Sequence, residues 1–138
     1  MTRHTFQTDA LLFDALEAIC ASIDYPKGTV VFEQGRPPKG VYIVLGGTVL
    51  LWLKVASGRQ VPFRTAGSGC IMGLPASISS RPYSLSTKVI KDARIGFVPR
   101  KQLLELLRKD SQHCYRVVEI LSDEVSVLRR ESARLQPR

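Results

Sequence analysis

The residue types that do covalent or metal chemistry are sparse and scattered along this chain. Its two histidines, His4 and His113, lie on either side of the β-rich middle. A metal-dependent enzyme on a β-roll of the cupin kind needs clustered His and carboxylate ligands inside the strands, and none is legible. No Gly-x-Ser-x-Gly elbow and no paired carboxylates point to acyl transfer or acid-base work. Cys20, Cys70 and Cys114 are three in number, far apart and without a Cys-x-x-Cys pair. This argues against a disulfide scaffold, a structural zinc site and an iron-sulfur cluster, which takes about four thiolates. The adjacency of His113 and Cys114 leaves a haem ligand formally open, but the plainer role for His113 is to cap or cover a helix start. No cofactor and no metal are expected.

What remains is binding. Between Glu33 and Asp92 there is no acidic residue, whereas Arg36, Lys39, Lys54, Arg59, Arg64, Arg81, Lys88 and Lys91 fall in that interval and dominate a net charge of +8. Such a segment attracts small anions; it serves equally as a solvated basic surface. Direct reading of nucleic acid is not expected. The basic residues lack aromatic interleaving, and the last 39 residues mix nine basic with six acidic side chains, so no basic helix forms. No leading apolar segment is present, and nothing approaches the roughly 20 consecutive apolar residues of a membrane span. A cytoplasmic protein without membrane contact is expected.

The elements that position any site are a roll and its flanking helices. At 138 residues the chain is expected to form one domain, 1-138, with a β-roll over about 25-99 and helices over about 100-135. Thr8 or Asp9 caps a first helix running through Leu12, Leu16 and Ile19 to Ile23. Val30 to Phe32, Val41 to Leu45 and Val49 to Leu53 read as strands. They are separated by Gly35, by Pro37 to Gly40 and by Gly46-Gly47, the last a two-residue hairpin signal. Further strands near Gln60 to Arg64, Leu85 to Ile90 and Ala93 to Pro99, with Lys91-Asp92 as a turn, make roughly eight, mostly antiparallel. Leu103 to Leu107 form a short helix, and Asp110 or Ser111 caps a longer one.

In that last helix Val118, Val125 and Ser132 take a positions, and Leu121, Leu128 and Leu135 take d positions. A β-branched residue at a with Leu at d predicts a parallel two-stranded coiled coil, hence a homodimer, with Cys114 one turn before Val118 on the same seam. Glu124 and Arg129 are expected at g and e, where an interchain ion pair forms. Val117, Ile120 and Val127, on the adjacent face, pack on the roll.

Gly28, Phe32, Gly35, Tyr42, Ile43 and Gly47 resemble the opening of the β-roll in the cyclic nucleotide-binding domain of the Crp/Fnr-type regulators, and the resemblance runs from about Leu11 to about Leu128. It implies a mainly β fold with flanking helices: an antiparallel, jelly-roll-like double-stranded β-roll, an N-terminal helix and a long C-terminal dimerisation helix. In that family the ligand cradle is a Gly-Glu-Leu-type segment followed by an Arg that grips the cyclic phosphate. Here Gly73 matches the glycine, Leu74 stands in place of the ribose-binding Glu, and Tyr83, just before Ser84, stands in place of the Arg. A leucine accepts nothing from a hydroxyl, and a phenol does not replace a charged bidentate fork.

Residual anion binding is expected from a helical turn opening at Gly73-Leu74-Pro75-Ala76 and from Arg81, either swung inward or left exposed ahead of Pro82. Tyr83 alternatively plugs the vacated cradle. The resemblance thus implies a ligand-sensing or regulatory effector domain with a degenerate nucleotide pocket, not an enzyme. It acts in signalling or transcription regulation through a partner protein. The competing classes are a cupin-type enzyme and a DNA-associated regulator that lacks its own helix-turn-helix.

Overall fold

The computed structural model describes residues 6–135, with side chains through 130; His4 and the side chains of Ser132 and Leu135 lie outside the described set. In chain order the elements are α1 (Ala10–Glu17), β1 (Ala21–Tyr25), β2 (Gly40–Lys54), β3 (Gln60–Ala66), β4 (Ile71–Met72), α2 (Leu74–Ser79), β5 (Ser86–Pro99), α3 (Arg100–Lys109) and α4 (Ser111–Leu135). The strands form one antiparallel sheet in the order β1-β5-β2-β3, with β4 also paired to β2.

Five strands are found among the described residues, not eight, because two of them are long and bend. Gly40 pairs with Pro99 at one end of β2 and Trp52 with Ser86 at the other. Gly46-Gly47 is therefore not a hairpin. It lies where the register of β2 on β5 shifts, between Val44 and Val49, a bulge that turns one strand around the roll. Gly47 has φ +85°, and a Cβ there would press into the backbone of Asp92 and Ala93. Lys91-Asp92 on the facing strand is likewise not a turn, since β5 runs through it. Val30 to Phe32 makes only an isolated bridge, Val30 to Lys88. Phe32 is nonetheless anchored: its N–H donates to Thr87 Oγ1 at 3.1 Å and its carbonyl accepts from Thr87 N–H at 3.0 Å.

Helix α1 is capped by Asp9, whose carboxylate accepts from Leu12 N–H at 3.0 Å. It ends six residues before the expected Ile23. Leu12 and Leu16 are fully buried, but Ile19 and Ile23 are 42% and 56% exposed, so a longer helix would have no surface to bury its stripe against. The chain instead extends as β1 along β5, from Ala21 opposite Phe97 to Tyr25 opposite Ala93.

Two apolar cores result. Phe32, Val49, Leu51, Met72, Tyr83 and Val89 belong to one inside the roll. Leu12, Ile43, Leu74, Leu103, Val117 and Ile120 belong to another, between roll and helices. Each large aliphatic side chain so buried contributes roughly 1.5 to 3 kcal/mol. Asp110 caps α4, accepting from Gln112 N–H at 2.9 Å, and Arg116 ties α4 to α1 through Asp9 at 2.7 Å. Helix α4 has two apolar faces: Val117, Ile120 and Val127 are buried, while Val118, Val125 and Leu128 are 54%, 47% and 40% exposed. Glu124 departs from its expected g position. It is only 7% exposed, on the face turned to the roll, and one carboxylate oxygen accepts from Phe6 N–H at 2.7 Å.

Candidate functional site

The segment expected to form the cradle does open a helix. Gly73, at φ +83°, precedes α2 with Pro75 in its first turn, and its carbonyl accepts from Ser77 N–H at 3.1 Å. A side chain at Gly73 would come within 3.0 Å of the Tyr83 ring, so the close approach of the two segments requires glycine as much as the backbone does.

Tyr83 is 4% exposed. Its ring stacks on Phe32 with centroids 4.3 Å apart. Its hydroxyl donates to Gly40 carbonyl at 2.8 Å and lies 3.2 and 3.3 Å from the N–H groups of Lys39 and Gly40, from which it accepts. A phenol offers one donor and two acceptor positions, and all are engaged with the start of β2.

Beside Tyr83 lies a cavity of about 250 Å³. Of the residues expected to bind ligand, Gly73, Pro75, Ala76, Tyr83 and Ser84 line it. Leu74 and Arg81 do not. Leu74 is fully buried in the core facing the helices, and Arg81 is exposed, its backbone N–H donating to Ala76 carbonyl at 3.3 Å. Arg81 has not swung inward; it follows Ser80, whose left-handed backbone (φ +60°) ends α2. The rest of the described wall is Phe6, Phe32, Leu51, Leu53, Phe63, Leu85, Glu124 and Leu128; among the described residues no Lys or Arg contributes. On the other side of Tyr83 a separate groove holds Glu33, Arg36, Lys39 and Tyr42, so part of the basic interval approaches the tyrosine from outside the cavity.

Glu124 and Leu128 were assigned to the dimer face from sequence, and their place in this wall was missed. A signal for Glu124 exists: it continues the three- and four-residue steps Val117, Ile120, Glu124, Val127, which put an acid on the buried stripe. Phe6 has no comparable signal. Of the expected seam, Cys114, Val118, Val125 and Leu128 are exposed and Leu121 is half-buried.

Burial, with smaller effects from Tyr83 and Tyr25, pushes the Tyr42 phenol up to about 12. Burial also raises the thiols of Cys70 and Cys20 above their ordinary value. Among the described residues no group of three or more His, Cys, Asp or Glu is placed to hold a metal. None of the described helices is long and apolar enough to cross a membrane.

A helix-flanked antiparallel roll with a cavity between its α2 turn and the last helix defines a class of ligand-binding regulatory domain. The model of the cyclic nucleotide-binding domain matches residues 22–110, and the chain belongs to that family. It is 28% identical over 121 residues to Rap guanine nucleotide exchange factor 1 of Caenorhabditis elegans, covering 87% of this chain and 11% of that protein. The chain thus spans about a tenth of that relative's length. Its fold matches the c-di-GMP-responsive global regulator CLP of Xanthomonas campestris (TM-score 0.77, 21% identity, 91% of this chain and 62% of that one). It also matches the catabolite activator protein of Thermus thermophilus (TM-score 0.73, 22% identity, 91% and 57%).

Proposed function

We propose that this chain is a regulatory effector domain of Crp/Fnr type whose nucleotide cradle is degenerate, and that it acts in signalling or transcription control through a partner protein rather than as an enzyme. The observation that carries this is Tyr83. At the position where the family resemblance calls for a phosphate-gripping Arg, a buried phenol spends its hydroxyl on Gly40 and Lys39. Leu74, in place of the ribose acceptor, is buried in a different core. Each missing charge-assisted contact removes about 1.5 to 3 kcal/mol. Two lower affinity by roughly two to four orders of magnitude.

The domain dimerises through α4. Val118, Val125 and Leu128 leave an exposed apolar face at heptad spacing, self-complementary in a parallel pair, so the occupant is a second copy of this chain.

Melting in the presence of cyclic AMP or cyclic GMP tests the cradle. A nucleotide at about 1,000 times its Kd stabilises a binding-competent domain by ~4.1 kcal/mol. With each nucleotide at about 1 mM, no shift in Tm is expected; a rise of several degrees contradicts the reading.

A further inference from the structure

The space beside Tyr83 is well suited to something other than a nucleotide. We infer, resting on the degenerate-cradle reading above, that this cavity is a receptor site for a small, uncharged, largely apolar molecule of one- or two-ring size. Three observations carry the inference. The wall is built from Phe32, Leu51, Leu53, Phe63, Leu85 and Leu128, from five different stretches of the chain, and such a surface gains by taking up apolar matter. The volume is about 250 Å³, whereas apolar cavities of about 150 Å³ stay dry and accept benzene, so a substituted or fused ring fits.

The third observation is charge. Among the described residues no Lys or Arg lines the cavity, and the ionisable carboxyl there belongs to Glu124, which accepts from Phe6 N–H at 2.7 Å. An anion placed there would be desolvated against a mostly apolar wall, which opposes binding. A neutral occupant avoids that cost. The Tyr83 hydroxyl is committed to β2, leaving Ser84 as the hydroxyl along the wall, so shape and apolar area decide selection. An occupant would also touch Leu128 and Glu124, on the helix whose outer face carries Val118 and Val125.

The test is a methyl NMR titration of the full chain with indole, with benzoate and cyclic AMP titrated in parallel. Indole is expected to move the methyls of Leu51, Leu53, Leu85 and Leu128 saturably at submillimolar concentration, and benzoate to bind about tenfold more weakly or worse. Leu53→Trp, which fills the cavity from β2, should abolish the indole response. If that variant loses methyl dispersion, Ala76→Val replaces it as the filling substitution. Absence of saturable indole shifts, shifts confined to other methyls, equal binding of benzoate, or a response that survives filling overturns the inference. Silence from both indole and cyclic AMP overturns it while leaving the degenerate cradle intact. Cyclic AMP moving these methyls at micromolar concentration overturns the degenerate-cradle reading itself.

Discussion

Replacing Tyr83 by Phe removes one oxygen and keeps the ring. The variant therefore separates the hydroxyl's role from that of the stack on Phe32. In the folded protein that oxygen donates to Gly40 carbonyl at 2.8 Å and accepts, at longer range, from the N–H groups of Lys39 and Gly40. The bonds to Gly40 are buried and the one to Lys39 is partly so. Removing one partner of a buried pair costs about 1 to 3 kcal/mol, the desolvation penalty of the group left behind. The two contacts longer than 3.0 Å add less, so the total stays within that interval. For a domain of this length each kcal/mol lowers Tm by about 3 to 4 °C, which puts the expected fall at roughly 3 to 12 °C. Tyr83→Ala also forfeits the ring stacked at 4.3 Å and leaves a void beside the cavity, for a total of about 3 to 5 kcal/mol. Urea unfolding is the assay. Both variants should lower the midpoint with the slope m unchanged. A Tyr83→Phe midpoint equal to the wild type would refute the claim that the hydroxyl fastens the α2 segment to β2. Equal losses for Phe and Ala would refute the role of the stack.

Three further outcomes follow from the same geometry. The wild type should sediment as a dimer at micromolar concentration. Val125→Asp, at a position exposed in the single chain, should weaken dimerisation by about 100-fold or more while leaving the fold intact; a wild-type monomer contradicts the seam. Tyr42, with its phenol raised to about 12, ionises first in the unfolded chain, so its contribution is complete below the ordinary value near 10 and is lost as pH rises towards about 12. Urea midpoints should decline over that window, and Tyr42→Phe should flatten the decline. In the monomeric Val125→Asp variant, an aromatic disulfide reagent should react rapidly with Cys114, exposed in the single chain, and slowly with Cys70 and Cys20, whose thiols burial raises. A fast equivalent that persists in Cys114→Ser contradicts this order.

The roll and its helices were legible in the sequence because their signals are local. The two apolar faces of α4, one through Val117, Ile120 and Val127 and the other through Val118, Val125 and Leu128, follow from residue spacing alone, and burial divides them as expected. The bend at Gly46-Gly47 was not legible. A hairpin and a bulge both call for positive φ, and what selects the bulge is the length of β5, which pairs with both halves of β2 from some 40 residues away in the chain. The end of α1 was hidden for a similar reason, since nothing near Ile19 and Ile23 reveals that no surface awaits them. Gly73, Pro75, Ala76, Tyr83 and Ser84, which stand out by their place in the family pattern, line one cavity. The apolar wall was not legible, because it joins Phe6, β2, β3 and α4, and only the tertiary fold brings Glu124 to it.

The central claim is that Tyr83 occupies the place of the phosphate anchor and leaves the domain unable to hold a cyclic nucleotide. Isothermal titration calorimetry of the purified chain with cyclic AMP, at low salt and again at about 0.15 M, tests it most directly. Either no heat of binding is expected, or a weak association that fades as salt screens the basic interval from Arg36 to Lys91. A saturable, low-micromolar, salt-insensitive isotherm would contradict it.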